Sequence, residues 1–258
     1  MDVACGAAAC GAMFAEVFDV HVRPQGYASL ALSVWIIYTV DHLLDARQVK
    51  EKASTARHRF HQQYFNLMVL LTLVAVVFDL VLVGFIRKPI LEAGLIAAVI
   101  VFIYLLIQKR LKSFKELAVA LLYTGGVLLP ALSLNRNSIN AGQVFMITAF
   151  LVTALINLML FSWFELEQDL HDHHTSFVVL FGPERTRKVL IVLALVQVLL
   201  LIISFLLTDN KPAVIMLTCM NLVLAMLFWQ PEGFRGNDQY RLYGDAIFLF
   251  PALLLLGA

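Results

Sequence analysis

The sequence predicts an all-α, polytopic membrane protein, built as a bundle of about nine transmembrane helices. The chain of 258 residues is 61% hydrophobic and 14% charged, whereas soluble domains carry about 25% charged residues. Its apolar residues also form runs of about 20, which is the length that a helix needs to cross a bilayer. We therefore expect a single transmembrane domain over residues 1–258, in which the helices pack in lipid and against each other.

Nine apolar segments are candidates for membrane spans. Prolines lie in several of the breaks between them, at Pro24, Pro89, Pro183, Pro212 and Pro231, which is typical of helix ends. The predicted spans are 3–20, 26–46, 64–86, 89–108, 116–134, 140–164, 186–207, 212–230 and 241–257.

The distribution of Lys and Arg predicts how the protein is oriented. Fourteen of the 19 follow the second, fourth, sixth and eighth spans. Because cytoplasmic loops are enriched in these residues, we expect those connections and the N-terminus in the cytosol, in an inner or cell membrane. The net charge of +1 gives no argument for a nucleic-acid partner.

Two pairs of acidic residues close apolar helices on this predicted cytosolic side. Asp41 and Asp45 end the second span, and Glu165 and Asp169 follow the sixth. Residues four apart share one face of a helix, so each pair is expected to point in a single direction. Glu167 lies between the second pair, on another face. Each pair thus predicts a local concentration of negative charge at the membrane boundary.

Such acids are costly at membrane depth and therefore usually mark a functional interior. Two carboxylates on one face repel each other unless a cation lies between them. Mg²⁺ favours oxygen ligands, commonly a few carboxylates together with substrate phosphates. Facing pairs could hold such ions and neutralise a diphosphate leaving group, and the apolar helices could receive a hydrocarbon tail. These properties together indicate a prenyl diphosphate substrate; solvated helix ends paired with nearby Arg and Lys are the alternative.

Three segments resemble the UbiA superfamily of intramembrane prenyltransferases. FELEQDLHDHHTSFVVLFG (Phe164 to Gly182) resembles the second aspartate-rich motif of that family, and DHLLD (Asp41 to Asp45) resembles the last part of its first motif, NDxxDxxxD. QKRLKSFKELAVALLYTGGVLLP (Gln108 to Pro130) is similar to its Lys-Arg cytosolic loop and following helix. Ile37 and Tyr38 stand where the first motif has Asn-Asp.

The resemblance implies a helical bundle with a central cavity open to lipid. It implies that the acidic motifs bind Mg²⁺ and an isoprenoid diphosphate, which is ionised so that the prenyl group passes to an acceptor of unknown identity. By motif position, the implied metal-binding and catalytic residues are Asp41, Asp45, Glu165 and Asp169, with Glu167 as a further candidate ligand. Lys109 and Arg110 fall where a cationic loop could contact the diphosphate.

Three further residues have both a functional and a structural interpretation. Arg57 could bind diphosphate oxygens, because the guanidinium matches phosphate geometry, or it could only follow the positive-inside distribution. The ring of Tyr38 could stabilise a carbocation or belong to an interfacial aromatic belt. Asn157, two turns before Glu165, could line the cavity or bond a neighbouring helix.

Three other functions remain open from the sequence. A terpene cyclase of the same fold would capture the cation with the substrate's own double bonds. A non-catalytic isoprenoid-lipid binder is suggested by the missing Asn-Asp. A membrane metal oxygenase is suggested by the histidines near the motifs, because imidazole with carboxylate suits iron or zinc better than Mg²⁺. Those histidines are His42, His58, His61, His171, His173 and His174.

Overall fold

The protein is an all-helical bundle. We describe it from a computed structural model, which covers residues 2–46, 56–172 and 175–255. Within these ranges the chain forms α-helices and short 3-10 turns, with no strand. Seven of the helices in this part of the chain are long and apolar enough to cross a membrane. The predicted all-α, polytopic membrane fold is therefore confirmed.

Eight longer helices form the body of the bundle in the described ranges. They are α1 Asp2–Val17, α2 Pro24–Ala46, α4 Phe65–Val83, α5 Lys88–Leu111, α6 Lys115–Leu134, α7 Ala141–Phe164, α10 Pro183–Leu207 and α11 Lys211–Trp229. Shorter helices connect or follow them. These are α3 Ala56–Gln63, α8 Leu166–His171, α9 Phe177–Phe181, α12 Pro231–Phe234, α13 Gln239–Ala246 and α14 Ala252–Leu255.

The two terminal segments differ from the predicted spans. Helix α1 ends at Val17, and Asp19 beyond it has a positive φ of 51°, so this helix is shorter than the seven long ones. The predicted last span, 241–257, is divided between α13, a 3-10 turn over Ile247–Leu249, and α14. Pro251 contributes to this break because it has no backbone N–H to donate. The count of nine membrane-spanning helices is thus not confirmed in the part of the chain that the structure describes.

Helix α7 is the central helix of the bundle. Sixty-one per cent of the residues in its most apolar stretch are buried, whereas the corresponding share in α5 is 11%. It packs against α6, α10, α11 and α13, while α5 and α10 expose leucines such as Leu106 and Leu195, as expected for lipid-facing helices. The C-terminal end of α7, where Glu165 follows, is therefore enclosed by other helices.

Helix α1 belongs to the core although it is short. Most of its small and apolar side chains are buried, and Ala7, Cys10 and Phe14 are all at 0% exposure. The ring of Phe14 meets that of Phe150 in α7 edge to face, at 5.2 Å between centroids. Small residues allow helices to approach closely in membrane proteins, so this segment stabilises the bundle from inside.

Helix α6 brings the two acidic segments to the same end of the bundle. It packs against both α2 and α7, and its first residues, Lys115 and Glu116, lie at the end where α2 and α7 terminate. The motifs at residues 41–45 and 165–169 are therefore separated by one helix. The sequence alone does not show that these two motifs are neighbours, because they are far apart along the chain.

A cavity of about 400 Å³ lies elsewhere in the bundle. It is lined by α1 residues, including Ala12 and Glu16, and by His21 and Tyr27 near the start of α2. Asp41 and Asp45 lie at the other end of α2. This cavity is thus separate from the acidic segments, and the central cavity open to lipid stays a prediction.

The contact between α7 and α10 generates a test of the packing. A Cβ atom added at Gly142 would lie 2.9 Å from the carbonyl oxygen of Leu207 and 3.0 Å from its carbonyl carbon. We expect Gly142→Ala to destabilise the protein by about 1–3 kcal/mol, since the clash is with backbone that must shift. Thermal unfolding of the purified protein in detergent measures the effect.

Gly125→Ala is the matched control. A Cβ at Gly125 meets nothing within 4 Å, and alanine favours a helix over glycine by about 1 kcal/mol. Its melting temperature should equal or exceed that of the wild type. Equal melting temperatures for the two variants would contradict the close approach of α7 and α10.

Candidate functional site

The first acidic pair lies at the end of α2, next to the start of α6. Asp41 and Asp45 are both half-buried. The Lys115 ammonium nitrogen is 4.0 Å from Oδ2 of Asp45. Helical spacing puts both carboxylates on one face of α2, and the contact between Asp45 and Lys115 shows that this face is turned towards the start of α6.

The second acidic segment begins where α7 ends. Glu165 joins α7 to α8 and is only 8% exposed. The hydroxyl of Tyr240 in α13 donates a hydrogen bond to Oε1 of Glu165, at 2.8 Å. The guanidinium of Arg241 donates to both carboxylate oxygens of Glu165 and lies over the ring of Phe161, 4.8 Å from its centroid. This carboxylate is therefore neutralised by residues of α13.

Lys115 connects the two acidic segments electrostatically. Its ammonium interacts with the carboxylates of Asp41 and Asp45 from α2, with Glu116 beside it, and with Asp169 from α8. Asp169 is half-buried. Lys115 thus interacts electrostatically with both predicted carboxylates of the first segment and with one of the second.

Glu116 fixes the relative position of three helices. Its side chain is 7% exposed. Oε1 accepts hydrogen bonds from the Ser162 hydroxyl at 2.9 Å and from the Phe177 backbone N–H at 2.7 Å. Sequence reasoning missed this residue; a lone acid in the first turn of an otherwise apolar helix was the available signal. By tying α6 to the last turn of α7 and to α9, Glu116 orients the segment that carries Glu165 and Asp169.

The other predicted site residues lie at varying distances from this centre. Glu167 is exposed on α8, and Arg110 is exposed near the end of α5. Tyr38 is half-buried, and its ring contacts that of His42 in a tilted arrangement, with 4.1 Å between ring centroids. It also interacts electrostatically with Arg241. The side chains of Arg57 and Lys109, and residues His173 and His174, lie outside the described part of the structure.

Asn157 lies deeper in the bundle, where α13 approaches α7. It is 3% exposed, and a Cβ at Gly244 would be 2.6 Å from its Oδ1. Only a glycine therefore fits on α13 at this contact without a shift. Asn157 lies at the interface between these two helices, two turns before Glu165.

The histidines near the motifs form pairs in the described ranges. His42 and His61 are both buried and contact each other with ring centroids 5.2 Å apart. His171 pairs with Asp172, at 2.9 Å between Nδ1 and Oδ1. The side chain of His58 lies outside the described residues.

The acidic side chains of this site supply carboxylate oxygens, which are the ligand type that Mg²⁺ prefers. Within residues 2–46, 56–172 and 175–255, no three His, Cys, Asp or Glu side chains are grouped closely enough to hold a metal ion. Mg²⁺ commonly binds through one or two carboxylates, with water and substrate phosphates completing its six ligands. Asp41, Asp45 and Asp169 supply such carboxylates, so the arrangement suits an ion that binds together with a diphosphate.

The buried pair of Glu165 and Arg241 generates a prediction about stability. Arg241→Gln removes the cation and leaves the Glu165 carboxylate buried without it. Breaking a buried pair in this way typically costs about 3–5 kcal/mol. We expect a clearly lower melting temperature in detergent, and we expect Glu165→Gln combined with Arg241→Gln to be more stable than Arg241→Gln alone.

Arg235→Gln is the control for this pair, since Arg235 is exposed in the same region of the chain. Surface substitutions usually change stability by less than about 0.5 kcal/mol. If Arg241→Gln and Arg235→Gln unfold at the same temperature, the ion pair has no stabilising role.

The fold of this chain matches solved structures over nearly its whole length. A UbiA homolog from Archaeoglobus fulgidus bound to GPP and Mg²⁺ has a TM-score of 0.72 and 15% identity, covering 98% of this chain and 93% of that chain. The A. fulgidus UbiA homolog bound to DMAPP and Mg²⁺ has a TM-score of 0.68 and 14% identity, covering 99% and 96%. The apo UbiA homolog from Aeropyrum pernix K1 has a TM-score of 0.70 and 11% identity, covering 98% and 97%.

Similarity in sequence is much weaker than similarity in shape. No protein-family model matches the chain, and no curated protein matches it. At 11–15% identity the likeness concerns the fold, and function has to be argued from the site. The chain therefore has the fold of the UbiA homologues, as the resemblance of its acidic segments predicted.

Proposed function

We propose that this protein is a Mg²⁺-dependent intramembrane prenyltransferase of the UbiA type, which ionises an allylic isoprenoid diphosphate. The observation that carries the proposal is that both acidic segments lie at one end of an apolar bundle. There Lys115 is 4.0 Å from Asp45 at the end of α2, and Glu116 bonds to Ser162 at the end of α7. Structures of the same fold hold GPP or DMAPP together with Mg²⁺. A diphosphate with an apolar tail matches both the charged end and the apolar helices.

In this proposal Asp41, Asp45 and Asp169 hold Mg²⁺, with Glu165 and Glu167 as further candidate ligands. When bound, the ion offsets negative charge on the diphosphate and makes it a better leaving group. Glu165 can bind the ion only if its hydrogen bonds with Arg241 open or are shared, because both of its carboxylate oxygens accept from that guanidinium.

The chain's own cations orient the diphosphate. Lys115 lies 4.0 Å from Asp45 at the start of α6, and Arg57, Lys109 and Arg110 are candidates from the neighbouring connections. Ammonium and guanidinium groups donate charge-assisted hydrogen bonds to phosphate oxygens. Fixing the leaving group in this way directs the prenyl chain into the apolar bundle.

The apolar and aromatic residues protect the cation that forms. Tyr38, held against His42 beside Asp41, is a candidate for stabilising positive charge with its ring face. The buried apolar residues of α7 exclude water, which would otherwise quench the cation. Asn157 is a candidate for the deeper wall of the site. The proposed site opens towards the cytosol, and the N-terminus is on the same side.

A non-catalytic isoprenoid-lipid binder is the second candidate, favoured by a specific observation. Arg241 already neutralises Glu165, and Ile37 and Tyr38 stand where the family motif has two polar ligands. A site with fewer free carboxylates would retain affinity for a diphosphate and lose the power to ionise it.

The assay uses purified protein with Mg²⁺ and labelled geranyl, farnesyl or geranylgeranyl diphosphate. Pyrophosphate release only after an acceptor such as a quinone precursor is added supports the transferase. Release without an acceptor, giving a cyclic hydrocarbon or alcohol, indicates a terpene cyclase. Binding without release indicates the lipid binder, and tightly bound iron indicates the metal oxygenase.

Substitution of the acidic residues tests the site itself. We expect Asp45→Asn and Asp169→Asn each to lower the rate of pyrophosphate release at least about 100-fold, since each removes charge that positions the metal. Asp209→Asn is the control, because Asp209 is exposed in the connection between α10 and α11. Turnover unchanged in both site variants would refute the assignment.

A further inference from the structure

Three hydrogen bonds reach the carboxylate of Glu165 from α13. The Tyr240 hydroxyl donates to Oε1 at 2.8 Å, and the Arg241 guanidinium donates from Nε to Oε1 and from Nη2 to Oε2. A carboxylate accepts about four hydrogen bonds in all. Both oxygens that a divalent ion would use are therefore engaged by the protein itself.

Two aromatic residues in the last turn of α7 hold these donors in place. The Arg241 guanidinium lies over the ring of Phe161, 4.8 Å from its centroid. The ring of Tyr240 stacks on that of Phe164, with 4.5 Å between centroids and 10° between the ring planes. A cation over an aromatic face and a stacked pair of rings are both favourable contacts. The side chains that bind Glu165 are thus packed as well as hydrogen-bonded.

The backbone of α13 approaches α7 closely enough to keep this arrangement. A Cβ added at Gly244 would lie 2.5 Å from Cε1 of Phe161, so a glycine is needed where the two helices touch. Residues three apart lie on the same side of a helix, and Gly244 is three residues after Arg241. The guanidinium is therefore presented by a helix that fits against α7 one turn further along.

A departure from the family motif concerns the same guanidinium. Tyr38 stands where the first motif has Asp, and it interacts electrostatically with Arg241. A tyrosine supplies a single phenolic oxygen, whereas an aspartate supplies two carboxylate oxygens and a negative charge. Mg²⁺ prefers carboxylates, so Tyr38 is the weaker ligand, and the cation with which it interacts here is a guanidinium.

We propose that Arg241 takes the place of a divalent ion at Glu165, so that divalent ions bind to the other acids of the site and not to Glu165. Arg241 is then a positioning residue, which supplies one fixed positive charge and makes α13 part of the site. This inference rests on the proposed function, which supplies the ion and its remaining ligands, Asp41, Asp45 and Asp169.

The physical reason is competition between a guanidinium and a divalent ion for the same two oxygens. A bidentate guanidinium matches the geometry of a carboxylate. Glu165 is only 8% exposed, and breaking a buried ion pair leaves a charge without its partner. Mg²⁺ in addition gives up its water reluctantly and demands near-octahedral geometry. An ion that entered here would have to displace Arg241, so we expect divalent ions at the half-buried acids of α2 and α8 instead.

Mn²⁺ binding to the purified protein, followed by electron paramagnetic resonance with inorganic pyrophosphate present, tests the proposal. The double variant Glu165→Gln with Arg241→Gln removes both charges of the pair, so that neither is left buried alone. We expect its Mn²⁺ affinity to stay within about twofold of the wild type, whereas Asp45→Asn should lower the affinity at least about tenfold by removing a ligand. A loss in the double variant as large as that in Asp45→Asn would overturn the proposal.

Arg241→Gln alone gives the complementary result. Without the guanidinium, the Glu165 carboxylate is released for a metal ion, and we expect this variant to bind one more Mn²⁺ per chain than the wild type at saturation. Mn²⁺ should also raise its melting temperature more than that of the wild type, because a bound ion stabilises the folded state. Arg235→Gln should bind the same number of ions as the wild type. A folded Arg241→Gln protein with that same number would contradict the proposed replacement.

The wild-type protein provides a test that needs no variant. Crystals grown with Mn²⁺ and pyrophosphate locate the ion by its anomalous scattering. We expect Mn²⁺ beside Asp45 or Asp169, with Arg241 still bonded to Glu165. Mn²⁺ at a ligand distance of about 2.1 Å from a Glu165 oxygen, with Arg241 displaced, would overturn the proposal.

The outcomes separate this inference from the function on which it rests. An Mn²⁺ affinity that neither Asp45→Asn nor Asp169→Asn changes would refute the metal site of the proposed function. Mn²⁺ on Glu165, in a protein that releases pyrophosphate from allylic diphosphates, would refute the role of Arg241 and retain the prenyltransferase.

Discussion

Compensation of buried negative charge is the constraint on which the rest of this structure depends. Five buried or half-buried acids lie in or directly beside α2, α6, α7 and α8, at one end of an otherwise apolar bundle. They are Asp41, Asp45, Glu116, Glu165 and Asp169. Carboxylates in such surroundings are destabilising unless cations or hydrogen-bond donors satisfy them. Arg241 and Tyr240 donate hydrogen bonds to Glu165. The Ser162 hydroxyl and the Phe177 N–H donate to one oxygen of Glu116. Lys115 interacts electrostatically with the remaining three, Asp41, Asp45 and Asp169.

The compensating groups also assemble the fold. Each of them comes from a different part of the chain than the acid it serves: Arg241 and Glu165 are 76 residues apart, and Glu116 and Phe177 are 61 apart. Pairing therefore ties α13 to α7 and α9 to α6. With α7 enclosed and α6 placed between it and α2, the acidic segments cannot separate without leaving charges unpaired. Stability and the geometry of the candidate site thus depend on the same contacts.

Much of the architecture could be predicted from the sequence. Apolar runs of about 20 residues identify the seven long helices, because length and hydropathy are local properties. The shared face of Asp41 and Asp45 follows from helical periodicity alone. The ends of the chain were less predictable: the last apolar segment has the composition of a span, yet its helix is interrupted near Pro251.

The partners of the acidic residues could not be read from the sequence. Lys115 and Arg241 count as ordinary cations of cytosolic connections under the positive-inside rule, and only the packing of α6 and α13 reveals what they contact. Glu116 gave a weak signal, since a single acid at the start of a helix is common. Long-range pairing depends on which helices become neighbours, which local patterns do not specify.

The sequence departs from the family motif at the same place where the structure supplies its own cations. Ile37 and Tyr38 replace two polar positions, and Lys115 and Arg241 lie among or beside the remaining carboxylates. At 11–15% identity the overall fold is retained, while individual side chains beside the acidic segments differ from the motif.

The central claim is that the acidic ends of α2 and of α7–α8 act on one ligand between them. An electron cryo-microscopy structure in a lipid nanodisc, with Mg²⁺ and a non-hydrolysable geranyl diphosphate analogue, tests it most directly. The account predicts density for the diphosphate in contact with Lys115, and density for Mg²⁺ between the diphosphate and the carboxylates of both Asp45 and Asp169. Side chains of Asp45 and Asp169 that point away from each other, towards lipid or bulk water, with the analogue bound elsewhere, would contradict it.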